Sequence, residues 1–478
     1  MATLAPTSPA LQSLPPELLE QIAVFAFRSH SQTPFADLHA LGSCTRLFSR
    51  QLHLAHNPLL YSRIFRTTFD CIALRRRMDF DKVPPAVVAQ ELQKRFQAMW
   101  RFRREPTEDD LWAVLLMLFE HDRRNRHLLD IHADIRNAAK RRLDTITRGH
   151  PLRKPRGGDD NDEWPAPTRE LTLILWILWM TVTDADQRDA ERGEMLFFQV
   201  LTPYALGGHR YALSRRTWSQ FDPGPLHAAI PLDYFGAPLT LRDPEFVPVV
   251  AMHYLLRLVS PPDAPIIHAP LGTGGSLAWD GDYARIASQQ VLRPGTFSGV
   301  WEGGFLFMEF HNYIGLLHGA GPRTLLHSYV GQHAQVWKLR EYGLHGVPPV
   351  PHGDPLNAFF PSNAVFREVR GTLEVTVPEQ SWTYRLVEDG GDSEEVDDVI
   401  VMGEGHSSWG RFTLRGRVRP ADGLVTLVKQ YANRGLWLYR GFVIGGREGH
   451  LVGRWRDVES PVEQDGYEGC FVLGRRRE

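Results

Sequence analysis

The first group of residues with side chains that could do chemistry combines hydroxyl, imidazole and carboxyl groups. His406-Ser407-Ser408 closely follows Asp397 and Asp398. A serine, a histidine and an aspartate serve as nucleophile, base and orienting acid in a hydrolase triad. Proximity in sequence does not establish that geometry, and the glycine-flanked serine turn of many hydrolases is not present in the sequence. We therefore expect no catalytic residue and no enzyme activity in this chain.

A second group is a run of imidazoles in the C-terminal half. Imidazole nitrogens are common zinc ligands. No two of these histidines have the spacing of a zinc-binding helix motif, and no cysteine lies nearby to assist them. Scattered core or surface histidines account for the run, so the sequence predicts neither a metal site nor a cofactor. The residues are His311, His318, His327 and His333.

The third group is a row of arginines in an alternating pattern. Apolar residues at positions 412, 414 and 418 alternate with Arg411, Thr413, Arg415 and Arg417. This period of two predicts a half-buried strand with guanidinium groups on one exposed face. Such a face could pair with an acidic or phosphorylated peptide through bidentate contacts, or it could simply be solvated. We take Arg411, Arg415 and Arg417 as candidate substrate-binding residues.

Composition limits the classes of partner. The chain has 478 residues, 43% of them hydrophobic and 23% charged, which is typical of a folded protein with about two to four structural units. The net charge of -2 argues against a nucleic-acid or anionic-membrane partner for the whole protein. The longest apolar run, over 171–182, is shorter than the roughly 20 residues that span a bilayer.

The cysteine content and the N-terminal residues both favour an intracellular location. Cys44, Cys71 and Cys470 are too few and too widely spaced for a disulfide framework or a thiolate zinc site. Residues 1–16 have neither the basic nor the continuous apolar region of a secretory signal. We therefore expect a cytoplasmic or nuclear protein.

The first seventy residues have the spacing of several short helices. Pro15, Pro16 and Glu17 suit a helix start, and Leu18, Ile22 and Phe25 then share one face. Phe35, Leu38 and Leu41 form a second apolar stripe that ends at Gly42, and Leu47, Phe48 and Leu52 indicate a third helix. Asn57-Pro58 closes that helix, because the residue before proline avoids helical geometry.

This segment resembles an F-box. The resemblance is carried by Leu14-Pro-Pro-Glu-Leu-Leu-Glu-Gln-Ile22, Phe35-Ala-Asp-Leu38, Leu41-Gly-Ser-Cys44, Phe48 and Asn57-Pro58-Leu59-Leu60-Tyr61, in that order. The connection over 28–34 is longer than usual, and Tyr61 stands where the family often has tryptophan. An ordinary three-helix core is the alternative interpretation of the same pattern.

The resemblance implies a partner and a surface. An F-box binds the small Skp-type adaptor that links it to a cullin, so both would be partners of this chain. Exposed leucine and proline side chains would fill an apolar surface on that adaptor. The residues to which the resemblance assigns the contact are Leu14, Pro15, Leu18, Leu19, Ile22, Leu38 and Leu41.

The middle of the chain has mainly helical patterns. These patterns cover 87–102, 108–147 and 169–201, and they predict a helical region over 71–271. A segment at about 148–165, rich in glycine, proline and mixed charge, interrupts them and predicts an exposed loop.

From Pro294 onward the period changes to that of strands. Strands are predicted over 299–311, 371–377, 382–387, 436–444, 450–456 and 467–474, and residues 411–431 predict a hairpin around Pro420-Ala-Asp-Gly423. Closely spaced strands in series favour a closed antiparallel barrel, because closure removes unpaired edges. Seven acidic residues between Glu388 and Asp398 predict a mobile loop between strands.

This half resembles the β-barrel substrate domain of F-box proteins of the cyclin-D-binding type. The residues that carry the resemblance are Gly299-Val-Trp301-Glu-Gly303, Gly410-Arg-Phe412, Gly416-Arg-Val418, Lys429-Gln-Tyr431, Gly453-Arg-Trp455 and Gly469-Cys-Phe471-Val-Leu473. Glycines beside large aromatic residues suit a small barrel, since the strand can bend while a neighbouring ring fills the space. The resemblance implies that the barrel captures a substrate peptide, and we add Trp301 to the candidate substrate-binding residues.

The sequence thus predicts an α+β multidomain protein. Its expected parts are a disordered tail over 1–10, a three-helix F-box over 11–70, a helical region over 71–271 and an antiparallel β-barrel over 272–478. The leading hypothesis is a non-catalytic substrate adaptor of a cullin-type ubiquitin ligase, whose substrate is a protein. One alternative is a calycin-like barrel that carries a small apolar ligand, which an open interior lined by Trp301, Phe305, Trp437 or Trp455 would favour. Another is a barrel enzyme, which would need convergent polar groups with perturbed pKa values.

Overall fold

The computed structural model of this chain describes most of its residues. They are 14–28, 34–153, 163–181, 195–211, 213, 229–255, 275–287, 289, 294–347, 360, 363–387, 396–419, 422–432, 435–461 and 464–476. The expected tail over 1–10 and residues 154–162 of the expected loop at 148–165 lie outside these residues.

Two compact units make up the described chain. The first contains 1–138 and 232–239, and the second contains 139–231 and 240–478. The helical middle region is not a unit of its own, because its first part packs with the N-terminal helices and the rest belongs with the strands.

The first unit is mainly helical and also contains the short segment 232–239. Its helices are α1 Pro16–Arg28, α2 Pro34–Ser43, α3 Arg46–Leu52, α4 Pro58–Thr68, α5 Ile72–Arg77, α6 Pro85–Phe102, α7 Glu108–Phe119 and α8 Arg124–Leu128, and α9 Ile135–Ile146 spans the division between the units. The sequence predicted one continuous helical pattern over 108–147, and this stretch holds three helices and a π-helical turn at Leu129–Ala133.

Side-chain caps explain several of these helix starts. Thr107 and Asp110 form a reciprocal capping box at the start of α7. Thr45 accepts a hydrogen bond from the backbone N–H of Phe48 at α3, and Asn57 accepts one from Leu60 at α4.

A buried ion network lies at the centre of the first unit. The Arg95 guanidinium on α6 donates to Glu120 at 2.6 and 3.1 Å and to Glu91 at 3.0 Å. The Tyr234 hydroxyl donates to the same Glu120 carboxylate at 2.7 Å. The ring of Phe65 lies 5.1 Å from the guanidinium carbon, and those of Phe69 and Phe235 lie 5.3 Å from it. Burial acts to lower the pKa of Arg95, but the nearby Glu120 and Glu91 carboxylates together outweigh it, and the pKa is raised. This arginine therefore remains charged although it is fully buried.

The network gives a stability prediction. Replacing Glu120 by Gln leaves a buried guanidinium without its bidentate carboxylate, and breaking a buried ion pair costs about 3–5 kcal/mol. We expect Glu120→Gln to lower the midpoint of chemical unfolding of the first unit. Asp79→Asn removes an exposed ion pair with Lys82 and serves as the control, with little expected change. Equal unfolding midpoints for the two variants would contradict the central role of the network.

The second unit contains helices and a barrel. Its longer helices are α10 Arg169–Thr181, α11 Met195–Leu206 and α12 Phe246–His253, followed by α13 Gly275–Ala278, α14 Asp280–Ile286 and α15 Phe310–Leu317. Helices α11 and α12 pack on the outer face of the barrel. The Arg454 guanidinium on the barrel donates to the carbonyl oxygens of Tyr204 and Ala205 at the end of α11, at 2.8 and 2.9 Å.

Thirteen strands occur in the described residues. They are β1 Ile230–Tyr234, β2 Ala237–Leu241, β3 Gly299–Met308, β4 Val330–Leu344, β5 Val365–Val369, β6 Thr372–Val377, β7 Gln380–Leu386, β8 Asp398–Ser407, β9 Gly410–Val418, β10 Val425–Tyr431, β11 Leu436–Ile444, β12 His450–Asp457 and β13 Glu468–Arg475.

Eight of these strands close an antiparallel barrel, as the sequence predicted. The order around the barrel is β3, β13, β12, β11, β10, β9, β8 and β4, and β4 pairs with β3 from Met308↔Val330 to Gly299↔Leu339 to close the ring. Strands β7, β6 and β5 extend from β4 as an outer meander. Strands β1, β2, β4, β5 and β8 were not predicted, and β1 and β2 lie in the region that was predicted to be helical. Strand β8 begins at Asp398, which was expected to lie in a mobile acidic loop.

Inward-facing aromatic side chains and glycines shape the barrel. The rings of Trp301, Trp337 and Trp455 are at most 2% exposed and fill the interior. A Cβ on Gly416 would lie 1.8 Å from the carbonyl oxygen of Thr426, and one on Gly453 would lie 1.9 Å from that of Arg440. Only glycine allows the backbones of neighbouring strands to approach this closely. The predicted pairing of a glycine with a large ring occurs at Gly469, where a Cβ would lie 2.5 Å from Nε1 of Trp455.

Candidate functional site

An uncovered apolar surface lies on the first helix. Leu18, Ile22 and Phe25 are 48%, 44% and 76% exposed. Their spacing of four and three residues places them on one side of α1, and we call these three residues the α1 apolar surface. The opposite side, with Leu19 and Phe27, is buried in the first unit.

Polar contacts and aromatic packing hold α1 in place. The Asn57 side-chain amide at the start of α4 donates to Glu20 on α1 at 2.8 Å. The Phe27 ring makes edge contacts with Phe35 and Phe96, at ring-centre distances of 5.3 and 5.2 Å. The Tyr61 hydroxyl donates to the carbonyl oxygen of Leu52 at 2.5 Å, which ties α4 to the end of α3. Asn57 and Tyr61, two residues of the F-box-like pattern, therefore stabilise the packing of helices within this unit.

The seven residues expected to contact an adaptor divide by exposure. Pro15, Leu18 and Ile22 are exposed, and Leu14 and Leu41 are half-buried. Leu19 and Leu38 are only 1% and 4% exposed because they pack in the core, so for these two the expectation of an exposed contact was wrong. The set left out Phe25, although its helical spacing from Leu18 and Ile22 was already visible in the sequence.

A lysine lies inside the barrel. Lys429 on β10 is 1% exposed, and its ammonium donates to the Gln335 side-chain oxygen at 2.7 Å. Five aromatic rings surround the ammonium, with the nearest ring centre, that of Phe412, at 3.9 Å. The other rings belong to Phe305, Trp337, Tyr431 and Tyr439.

The lysine environment is apolar enough to change its protonation. Burial lowers the pKa of Lys429 to about 7, because the charged form loses its hydration. The facing rings and the Gln335 oxygen stabilise the cation in part. The sequence identified Lys429 only as part of a barrel motif. Its spacing of two residues from Leu427 and Tyr431 was nevertheless a local signal that it lies on the apolar face of the strand.

The barrel interior is filled by side chains. Of the four residues proposed to line an open cavity, Trp301, Phe305 and Trp455 are almost fully buried in the barrel core, and Trp437 packs against it. An eight-stranded barrel is just wide enough for its side chains to fill it. This packing counts against a carrier of a small apolar ligand.

Two candidate substrate-binding residues are not accessible. The Trp301 ring is 0% exposed, and its indole N–H donates to the carbonyl oxygen of Phe297 at 2.7 Å. Arg417 is also 0% exposed, and its guanidinium donates to Asp398 at 2.7 Å. The Tyr384 hydroxyl, on the meander, donates to the other Asp398 oxygen at 2.7 Å. The expectation that Trp301 and Arg417 bind a substrate was wrong, because the interior holds one and the meander covers the other.

The remaining two arginines of that strand are exposed. Arg411 lies in a groove on the outer face of the barrel, and the Arg415 guanidinium lies 4.4 Å from the ring centre of Phe366. The uniform guanidinium face expected from the alternation is therefore limited to part of β9.

The serine, histidine and aspartate cluster does not assemble into a triad. Asp398 pairs with Arg417, while Ser407 lies 2.8 Å from the Tyr431 hydroxyl. Ser408 lies 3.0 Å from Nδ1 of His333, a different histidine from its sequence neighbour His406. The contacts of Ser407 and Ser408 hold the β8–β9 turn in place against strands β10 and β4.

Searches for related proteins and for ion sites add no further assignment. No protein-family model, curated protein or solved structure matches this chain. Within the described part of the chain, no cluster of three or more histidine, cysteine, aspartate or glutamate side chains is arranged to hold a metal ion. Among the described helices, none has the length and apolar character needed to cross a membrane.

The buried lysine predicts a pH-dependent stability. Since its folded pKa of about 7 lies below the ordinary lysine value of 10.5, the cost of burying the charge is fully present below pH 7 and declines as the pH rises above 7. We expect Lys429→Met to be more stable than the parent at pH 6, by about 2 kcal/mol, because it removes a desolvated charge. Thermal unfolding of the variant and the parent at pH 6, 7.5 and 9 measures whether the difference in stability between them becomes smaller as the pH rises.

The exposed Lys338 on β4 provides the control for this experiment. Lys338→Met should give the same difference from the parent at all three pH values. A Lys429→Met variant that is less stable than the parent at pH 6 would contradict the desolvation argument.

Proposed function

We propose that this protein is a non-catalytic substrate adaptor of a cullin-type ubiquitin ligase. In this proposal the N-terminal helices are an F-box that binds a Skp-type adaptor, and the barrel binds the protein substrate. The observation that carries the proposal is the α1 apolar surface. It lies within the segment that resembles an F-box, and the described residues of the first unit leave it exposed.

The energetics of such a surface favour a protein partner. Leu18, Ile22 and Phe25 keep 48%, 44% and 76% of their surface in water, which is unusual for three large apolar side chains on one helix face. Covering them would contribute a few kcal/mol at about 25 cal/mol per Å² of apolar area. A helix face of this kind suits a groove on a partner.

The other parts of the motif act inside the unit. Asn57 links α4 to Glu20, and Leu19 and Leu38 pack in the core. These contacts hold α1 so that its apolar side faces outward, and a pre-organised surface loses less entropy on binding than a mobile one.

The barrel supports the second half of the proposal. Its interior is filled, so a bound partner would contact the outer face, the barrel ends or the meander. The enzymatic steps of ubiquitin transfer would then be performed by other subunits of the ligase on the protein that the barrel holds.

The test is co-purification of the full chain with a Skp-type adaptor. A variant with Leu18→Glu, Ile22→Glu and Phe25→Glu should bind the adaptor at least about tenfold more weakly, a loss of about 1.4 kcal/mol or more. The three charges cannot be buried against an apolar partner without a large desolvation cost.

The matched control is Ile72→Glu, which changes an exposed isoleucine of the same unit outside the motif. This variant should retain full binding. Circular dichroism should show unchanged helix content for both variants. Failure of the parent chain to bind, or equal binding by the triple variant, would refute the proposal. Point substitutions are preferable to deletion of residues 1–70, because Phe65 and Phe69 belong to the core around Arg95.

A further inference from the structure

A charged groove crosses the outer face of the barrel on strands β4, β8, β9 and β10. Its volume is about 620 Å³. We call it the outer groove, and its polar lining consists of Lys338, Glu404, His406, Arg411, Thr413 and Gln430. Five of these six residues did not appear among the candidate substrate-binding residues, because they become neighbours only when four strands pair.

Strand register arranges the lining in two rows. Lys338 pairs with Glu404, Glu404 with Thr413, and Thr413 with Gln430, so one row crosses four strands. His406 pairs with Arg411 in the adjacent row. Neighbouring strands lie about 4.8 Å apart, so the side chains of one row follow each other at roughly that interval.

Basic groups predominate in and around the groove. Lys338 and Arg411 are exposed, and neither is in an ion pair with another described residue. Beside the groove, Arg340 pairs with Glu368 at 3.1 Å and Arg415 stacks on Phe366. Glu404 is the single acidic side chain in the lining.

We propose that the outer groove binds an acidic peptide segment of a partner protein, with Lys338 and Arg411 as its main contacts. This inference rests on the proposed function in one respect, since it makes that segment part of the ligase substrate. Arg411 can hold one carboxylate through two parallel hydrogen bonds, and Lys338 can hold another as a point charge.

The distribution of the cations favours several carboxylates over one phosphate. Lys338 and Arg411 lie on non-adjacent strands and in different rows, with His406 and Glu404 on the strand between them. A single phosphate is held best by donors that converge, whereas successive Asp and Glu side chains match donors that are spread along a groove. Thr413 and Gln430 add hydrogen-bonding groups for the peptide backbone.

The test uses fluorescence anisotropy with three labelled peptides of twelve residues on the full chain. One peptide carries alternating Asp and Glu, the second replaces these with Asn and Gln, and the third carries one phosphoserine in the neutral background. We expect the acidic peptide to bind at least tenfold more tightly than the neutral one, and binding to weaken as salt is added.

Substitutions in the groove should act in opposite directions. Lys338→Gln and Arg411→Gln should each weaken binding of the acidic peptide severalfold, because each removes a positive charge. Glu404→Gln should strengthen it, because the substitution removes the only negative charge in the lining. Arg367→Gln, which changes an exposed arginine on β5 outside the lining, is the matched control and should leave binding unchanged.

Several outcomes would overturn the proposal. They are equal binding of the acidic and neutral peptides, weaker binding by Glu404→Gln, an effect of Arg367→Gln as large as that of Arg411→Gln, and binding of the phosphoserine peptide alone. Co-purification with the Skp-type adaptor is measured on the same groove variants and should not change. If the adaptor fails to bind while the acidic peptide binds, the ligase proposal falls and the groove assignment stands.

Discussion

The pairing of β3 with β4 is the interaction on which the second unit depends. It runs for the full length of β3, and it removes the two free edges that an open eight-stranded sheet would have. Closure also creates an interior that side chains must fill, which is why three tryptophans and several glycines face inward. The filled interior in turn restricts any partner to the outer face, the barrel ends or the meander.

Closure also determines which charged side chains of the strands are exposed and which are buried. Along β9 three of the outward side chains are arginines, and these three have different surroundings. Arg411 is exposed in a groove, Arg415 stacks on the edge of the meander, and Arg417 is buried with Asp398. Lys429 faces the interior, where the lack of water lowers its pKa. Buried charges are held by specific partners, so the exposed ones are the better candidates for binding other proteins.

The first unit uses a buried charge in a different way. Arg95 joins α6, α7 and the Tyr234 segment through two carboxylates and three aromatic rings, and this centre organises the helices around it. Helix α1 packs on that core through Leu19 and Phe27. Its other face, with Leu18, Ile22 and Phe25, is exposed and is not covered by any described element of the unit, and this asymmetry is the basis of the proposed adaptor interface.

The sequence by itself determined the class of the fold and many of the local elements, although several strands were missed. Prolines and apolar spacing indicated the N-terminal helices, and the change of period after Pro294 predicted the barrel, because both signals depend on neighbours along the chain. Asn57, expected to close α3, instead caps the start of α4. The sequence did not determine which members of a pattern are accessible. Leu19 and Leu38 were predicted to contact an adaptor, but they are buried in the core of the first unit. Trp301 and Arg417 were predicted to bind a substrate, but Trp301 lies in the barrel interior and Arg417 lies under the meander. The outer groove and the full set of groups around Lys429 were decided by tertiary structure alone. Strand pairing there brings together residues far apart in the sequence, such as Gln335 and Lys429, which are 94 positions apart.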